Sequence, residues 1–105
     1  MERVRRYLHD HTGRAVSLQE MAQVAAMSPF HLARTFRAVV GCPPVEYHRR
    51  LRIELAVDDL SRRDGSLTEL AERYGFADAS SFSRAFRRVA GNSPRVRDIL
   101  DRTRA

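Results

Sequence analysis

Arginine is the residue type in this sequence with the most legible chemistry, and it recurs in a pattern. Arg34 and Arg37 stand three apart, as do Arg84 and Arg87 at an offset of 50, with Arg88 beside the second pair. All 19 basic residues are arginine, against 13 acidic ones, giving a net charge of +6. Arginine presents a planar fork of donors that fits phosphate oxygens and the O6/N7 edge of guanine. Taken singly, each of these side chains reads best as part of a solvated helix face. Repeated at equivalent places, with small or hydroxyl neighbours and no acid on the same face, they point to a surface built to approach a polyanion.

Other chemistry is poorly represented. His9, His11, His31 and His48 lack ligand spacing with a carboxylate, and Cys42 has no second thiol, so neither a zinc site nor a disulfide is expected. No glycine-rich phosphate loop follows a strand. Neither an enzyme nor a cofactor is expected. The N-terminus lacks a signal-peptide core, and the longest apolar run, Val24–Met27, is far below the ~20 residues of a bilayer span. The chain is expected in the cytoplasm, associated with the nucleoid. A membrane-surface role is disfavoured, because no helix combines a wide exposed apolar face with a basic one.

The elements that would carry these arginines repeat too. Ser17-Leu-Gln-Glu-Met-Ala22 returns as Ser66-Leu-Thr-Glu-Leu-Ala71, Leu32-Ala-Arg-Thr-Phe-Arg37 as Phe82-Ser-Arg-Ala-Phe-Arg87, and Gly41 and Pro44 as Gly91 and Pro94. Each copy opens on a capping box, Ser17 with Glu20 and Ser66 with Glu69. A short helix and a tight turn follow, at Ala26–Pro29 and at Gly75–Asp78, where Gly75 supplies a positive φ. A second helix then carries apolar residues at i, i+4 and i+7: Leu32, Phe36 and Val39, then Phe82, Phe86 and Val89. Gly41 and Gly91 are expected to cap those helices.

Between the copies runs a helix from Pro44 to about Leu60. At ~100° per residue, Tyr47, Leu51 and Leu55 share one side, while Ile53, Ala56, Val57 and Leu60 share nearly the opposite one. Two opposed apolar faces call for a partner on each, so this helix should act as a strut. An N-terminal helix over Glu2–Asp10 and one after Pro94 bring the total to about seven. The expected fold is all-α: two helix-turn-helix subdomains, over residues 1–43 and 63–105, joined by a linker helix over 44–62. One chain would then place two recognition helices in successive major-groove segments of double-stranded DNA. Where their spacing or angle departs from straight DNA, the duplex must bend, at roughly 1–6 kcal/mol.

The repeat, the stretch Pro44-Val-Glu-Tyr-His-Arg-Arg-Leu-Arg52, and above all Gly75-Phe76, Phe82–Arg88 and Gly91-Asn-Ser-Pro94 resemble the DNA-binding domain of AraC/XylS transcription regulators. The resemblance runs from about Val4 to Arg97. It implies promoter DNA and RNA polymerase as partners, with Phe30, Ala33 and Arg34 facing bases in the first unit and Ala79, Ser80, Ser83 and Arg84 in the second. Phosphate contacts are expected from Ser28, His31, Arg37, Arg49, Arg50, Ser81, Arg87 and Arg88. Ala33 and Ala79 stand where many members carry longer polar side chains, so thymine-methyl contacts or shape readout must compensate. Asp58-Asp59 replaces a commonly basic or neutral pair, either a partner surface or a solvated face. Arg97 stands where tyrosine is frequent. Most members also carry an effector-binding or dimerisation domain outside this stretch, making this chain a stand-alone member or an excised domain. The rival reading is a protein-interaction module that contacts polymerase or another regulator without a DNA site of its own.

Overall fold

A computed structural model describes residues 1–62, 66–91 and 93–104. Seven helices run in chain order: α1 (Glu2–Asp10), α2 (Leu18–Ala25), α3 (Pro29–Val40), α4 (Pro44–Arg62), α5 (Leu67–Arg73), α6 (Ala79–Ala90) and α7 (Pro94–Arg104). No strand occurs among the described residues. The expected all-α pair of helix-turn-helix subdomains on a long central helix is what forms. Asn92 of the second repeat's closing motif, and the residues 63–65 that follow the expected boundary at 62, lie outside the described residues.

Short polar side chains start the helices. Ser17 accepts from the Glu20 N–H, and Ser66 from the Glu69 N–H, each at 3.1 Å. Glu20 does not complete its capping box, however. Its carboxylate takes the Tyr7 hydroxyl and the Arg14 guanidinium, with Arg14 Nη1 2.9 Å from Oε1. A charge-assisted pair outcompetes a bond back to a neutral amide. Arg14, with Tyr7 assisting, holds the Glu20 carboxyl down to about 2.

The two turns use equivalent left-handed residues, Ala26 at φ 55° and Gly75 at φ 80°. Alanine tolerates this at roughly 1–2 kcal/mol. At position 75 there is no such tolerance, because a Cβ would sit 2.5 Å from the Arg14 Cα. Gly41 caps α3 in the left-handed region at φ 100°, as expected. Gly91 does not: its φ of −73° is right-handed, and the Ser93 N–H reaches back to the Val89 carbonyl at 2.9 Å.

Two separate cores result. Val4, Leu8, Val16, Met21, Ala22, Leu32 and Phe36 fill the first, closed by Tyr47 of α4, whose ring meets Phe36 at 5.5 Å. Ile53, Ala56, Val57, Ala71, Phe82, Val89 and Val96 fill the second. The third position of the α3 stripe departs from expectation. Val39 is 65% exposed and Val40 packs inward instead, whereas its repeat mate Val89 is buried. The difference lies in the neighbours: α6 packs on α4 as well as on α5 and α7, while α3 packs mainly on α2 and the start of α4, the counterparts of α5 and α7. Leu60 is likewise exposed rather than part of the α4 face.

The strut is 19 residues long, about 28 Å at ~1.5 Å per residue. Its buried set includes His48 and Arg52, which the apolar pattern does not predict. Asp58 and Asp59 are not merely solvated. Asp59 takes Arg73 at 2.6 Å and the Tyr74 hydroxyl at 3.0 Å, and Asp58 pairs with Arg62. At the start of α7, Val96 and the preceding Ser93 are buried, Ser93 donates to Glu54, and Arg97 donates to the Gly91 carbonyl at 3.1 Å. The molecule measures 44 × 24 × 21 Å.

Candidate nucleic-acid interface

The second helix of each unit is oriented by what it must bury. In α3, Ser28 accepts from the His31 N–H at 3.2 Å and Pro29 fits the first turn. With Leu32 and Phe36 fully buried, Phe30, His31, Arg34 and Arg37 are turned to solvent. Phe30 is 72% exposed, an unusual setting for a large ring, and the Arg34 guanidinium lies over it, 5.7 Å from its centroid. That contact holds the arginine fork out from the surface at modest cost in rotamer freedom. In α6, Asp78 caps the helix by accepting from the Ser81 N–H at 2.7 Å, and Arg84 donates to the Ser81 hydroxyl at 3.2 Å.

The two faces are assembled differently. Ala79, Ser80, Ser83, Arg84 and Arg87 line one shallow hollow along α6. On α3 the hollow is shifted round the helix: it takes in Phe30, His31 and Arg34 together with Thr35, Ala38 and Val39. Ala33 and Arg37 lie outside it, Ala33 half-buried and Arg37 exposed. Thr35, Ala38 and Val39 carry no charge or hydrogen-bonding pattern that would single them out in the sequence.

Arg88 belongs to a third place. It lines a narrow cleft with Val89 and with Glu46, Arg49 and Arg50 from the start of α4. Three arginines from two helices thus converge there, with one glutamate among them. Ser28 and Ser81 stand in the first turns of α3 and α6, where backbone N–H groups also face outward.

One charge was not anticipated on this surface. Asp78 lies in the turn by sequence, yet it caps the α6 N-terminus close to Arg84. The Ser81 N–H and hydroxyl, aided by Arg84, hold its carboxyl below the usual range. Among the described residues no group of three or more His, Cys, Asp or Glu side chains could hold a metal, and no helix is long and apolar enough to cross a membrane.

Tandem helix-turn-helix units, each exposing arginines on its second helix, define a DNA-binding module of the helix-turn-helix class. Residues 21–96 match a family model described as a helix-turn-helix domain, and the chain belongs to that family, the DNA-binding domain of AraC/XylS-type transcription regulators. That family regulates transcription and is not one of enzymes. The chain is 40% identical over 89 residues to the transcriptional activator RhaS of Escherichia fergusonii, covering 85% of this chain and 32% of that protein. It is 35% identical over 86 residues to the transcriptional activator AarP of Providencia stuartii, covering 82% and 64%. Among solved structures it is similar to the C-terminal domain of AraT, a response regulator from Geobacillus stearothermophilus, with a TM-score of 0.75, 27% identity, and coverage of 92% of this chain and 83% of that one. The chain spans about a third of the length of RhaS and of several other curated relatives.

Proposed function

We propose that the chain is a sequence-specific reader of double-stranded promoter DNA that inserts α3 and α6 into successive major-groove segments. The observation that carries this is the duplication itself: one chain bears two capped recognition helices, each with arginines held on an acid-poor outer face. Residues 1–43 form the first reading unit, 44–62 the linker and 63–105 the second. Phe30, Ala33 and Arg34 meet base edges in the first unit, and Ala79, Ser80, Ser83 and Arg84 in the second. Arg34 and Arg84 address guanine, while Phe30 and the alanines suit thymine methyl groups.

Ser28, His31, Arg37, Ser81 and Arg87 flank these contacts and take phosphates, which fix register without reading sequence. The cleft of Arg49, Arg50 and Arg88 holds a backbone segment between the two boxes. The module works at the nucleoid and, when bound to DNA, contacts RNA polymerase.

The test is selection from random-sequence duplexes, with affinity followed from about 50 to 200 mM salt. A recovered asymmetric motif of two boxes roughly one helical turn apart, with a steep salt slope, is the expected result. No enrichment, with weak binding that salt abolishes, would favour the protein-interaction module instead.

A further inference from the structure

The two cores share no residue: α1 and α3 pack on α2 and on α4, while α5, α6 and α7 all pack on α4. If α4 were the whole connection, the setting of one recognition helix against the other would rest on the straightness of a single long helix, and long helices curve. Midway along α4 a second connection exists. His48 and Arg52, one turn apart, are 1% and 5% exposed on the strip between the two apolar faces. His48 Nε2 donates to the His11 carbonyl at 2.8 Å, in the loop before α2. Arg52 Nη1 donates to the Tyr74 and Gly75 carbonyls at 3.2 and 3.1 Å, in the turn before α6, and its guanidinium lies 4.6 Å from the Phe76 centroid. One turn of helix therefore grips a loop from each unit.

The two gripped loops also touch. A Cβ on Gly75 would lie within 2.5–2.8 Å of the Arg14 backbone, so only glycine allows this approach. Arg14 is tied in turn to Glu20 of α2 and Tyr7 of α1. On the other side Phe76 packs edge-on against Phe82 of α6 at 5.4 Å. A continuous path of contacts thus runs from the first unit's helices to the second recognition helix without passing along α4. An arginine bonded to two carbonyls, with its buried Nε unpartnered, is a poor choice for stability alone.

We propose that His48, Arg52 and Gly75 form an interlobe clamp that sets the distance and angle between the two recognition helices, and so selects the spacing of the two DNA boxes. His48 and Arg52 are positioning residues, buried away from any duplex. The inference rests on the reading of two boxes by one chain, and the test separates the two.

The probes are the two-box duplex recovered by selection with this chain, the same duplex with one base pair added or removed between the boxes, and duplexes keeping one box. Wild type should prefer the matched duplex over the shifted ones by about tenfold or more, since half-site spacing is a geometric match. Arg52→Met should shrink that preference to about threefold or less while single-box affinities stay within about twofold. An unchanged preference, or an equal loss on every duplex with a lowered melting temperature, would overturn the clamp. Wild type indifferent to spacing would overturn the two-box reading beneath it. If Arg52→Met does not fold, the same ratio measured in Arg52→Lys and His48→Leu decides.

Discussion

Position 78 holds an aspartate where the first unit holds Ser28, and both side chains cap a recognition helix by accepting a first-turn N–H. A serine leaves the helix N-terminus fully open to a phosphate, whereas an ionised aspartate weakens the attraction of that N-terminus for one. Asp78→Asn keeps the cap and removes the charge. It should tighten binding to non-specific duplex severalfold, about 1 kcal/mol, and leave the melting temperature nearly unchanged. Weaker binding in an anisotropy titration at fixed salt would contradict this electrostatic role. Arg34→Ala and Arg84→Ala should each cost about 1–3 kcal/mol on the selected site and relax base preference locally. Arg37→Ala and Arg87→Ala should instead weaken all sequences alike and lower the salt slope by about 1 each. If Arg34→Ala left both affinity and base preference as they were, the base-reading role in the first unit would be wrong.

His48 gives the fold a pH dependence. Burial, with the nearby Arg52 charge, pulls its pKa from 6.5 to about 4, and the His11 and Leu8 carbonyls oppose this only in part. The folded state therefore binds fewer protons than the unfolded chain between those values. Stability from this group is complete above about pH 6.5 and is lost as pH falls toward 4, by up to roughly 3 kcal/mol. Chemical denaturation across that window checks it, and His48→Leu should flatten the profile. The Glu20 contribution falls away lower, between its ordinary 4.5 and about 2.

At the scale of elements, apolar periodicity and capping chemistry sufficed for the helices but not for every facing. Leu32 and Phe36 are buried as the i, i+4 pattern requires, so Phe36→Ala should cost about 3–5 kcal/mol. Val39 continues that pattern in the sequence yet stands in solvent, so Val39→Ala should change stability by no more than about 0.5 kcal/mol. Thermal melts of the two variants side by side test the assignment, and comparable losses would refute it. Nothing in residues 28–41 could reveal this, because a period of 3.6 reports which residues share a side of a helix and not how far the neighbouring helices extend along it. The same reasoning applies to Leu60. Gly91 shows a second limit: glycine permits a left-handed cap, but the Ser93 bond to Val89 ends α6 in another way.

At the scale of the whole molecule, the repeat made the two-unit architecture legible, because sequence similarity at an offset of about fifty residues carries over directly into structural similarity. The arginines on the outer faces were legible for the same reason. What stayed hidden depends on contacts between segments far apart in the chain. His48 and Arg52 look like ordinary polar residues of a charged helix until His11 and residues 74–76 meet them. Glu20 looks like half of a capping box until Arg14 and Tyr7 arrive, and Arg88 looks like a partner of Arg87 until α4 brings Arg49 and Arg50 to it. The shift of the α3 hollow towards Thr35, Ala38 and Val39 likewise follows from tertiary packing.

In the proposed function, one chain reads two grooves. Methylation interference at guanine N7, on the selected duplex at a measured stoichiometry of one chain per duplex, tests it most directly. Two clusters of interfering guanines are expected about one helical turn, roughly 10 base pairs, apart on one face of the DNA, with Arg34→Ala erasing one cluster and Arg84→Ala the other. A single cluster, or two clusters seen only with two chains bound, would contradict it.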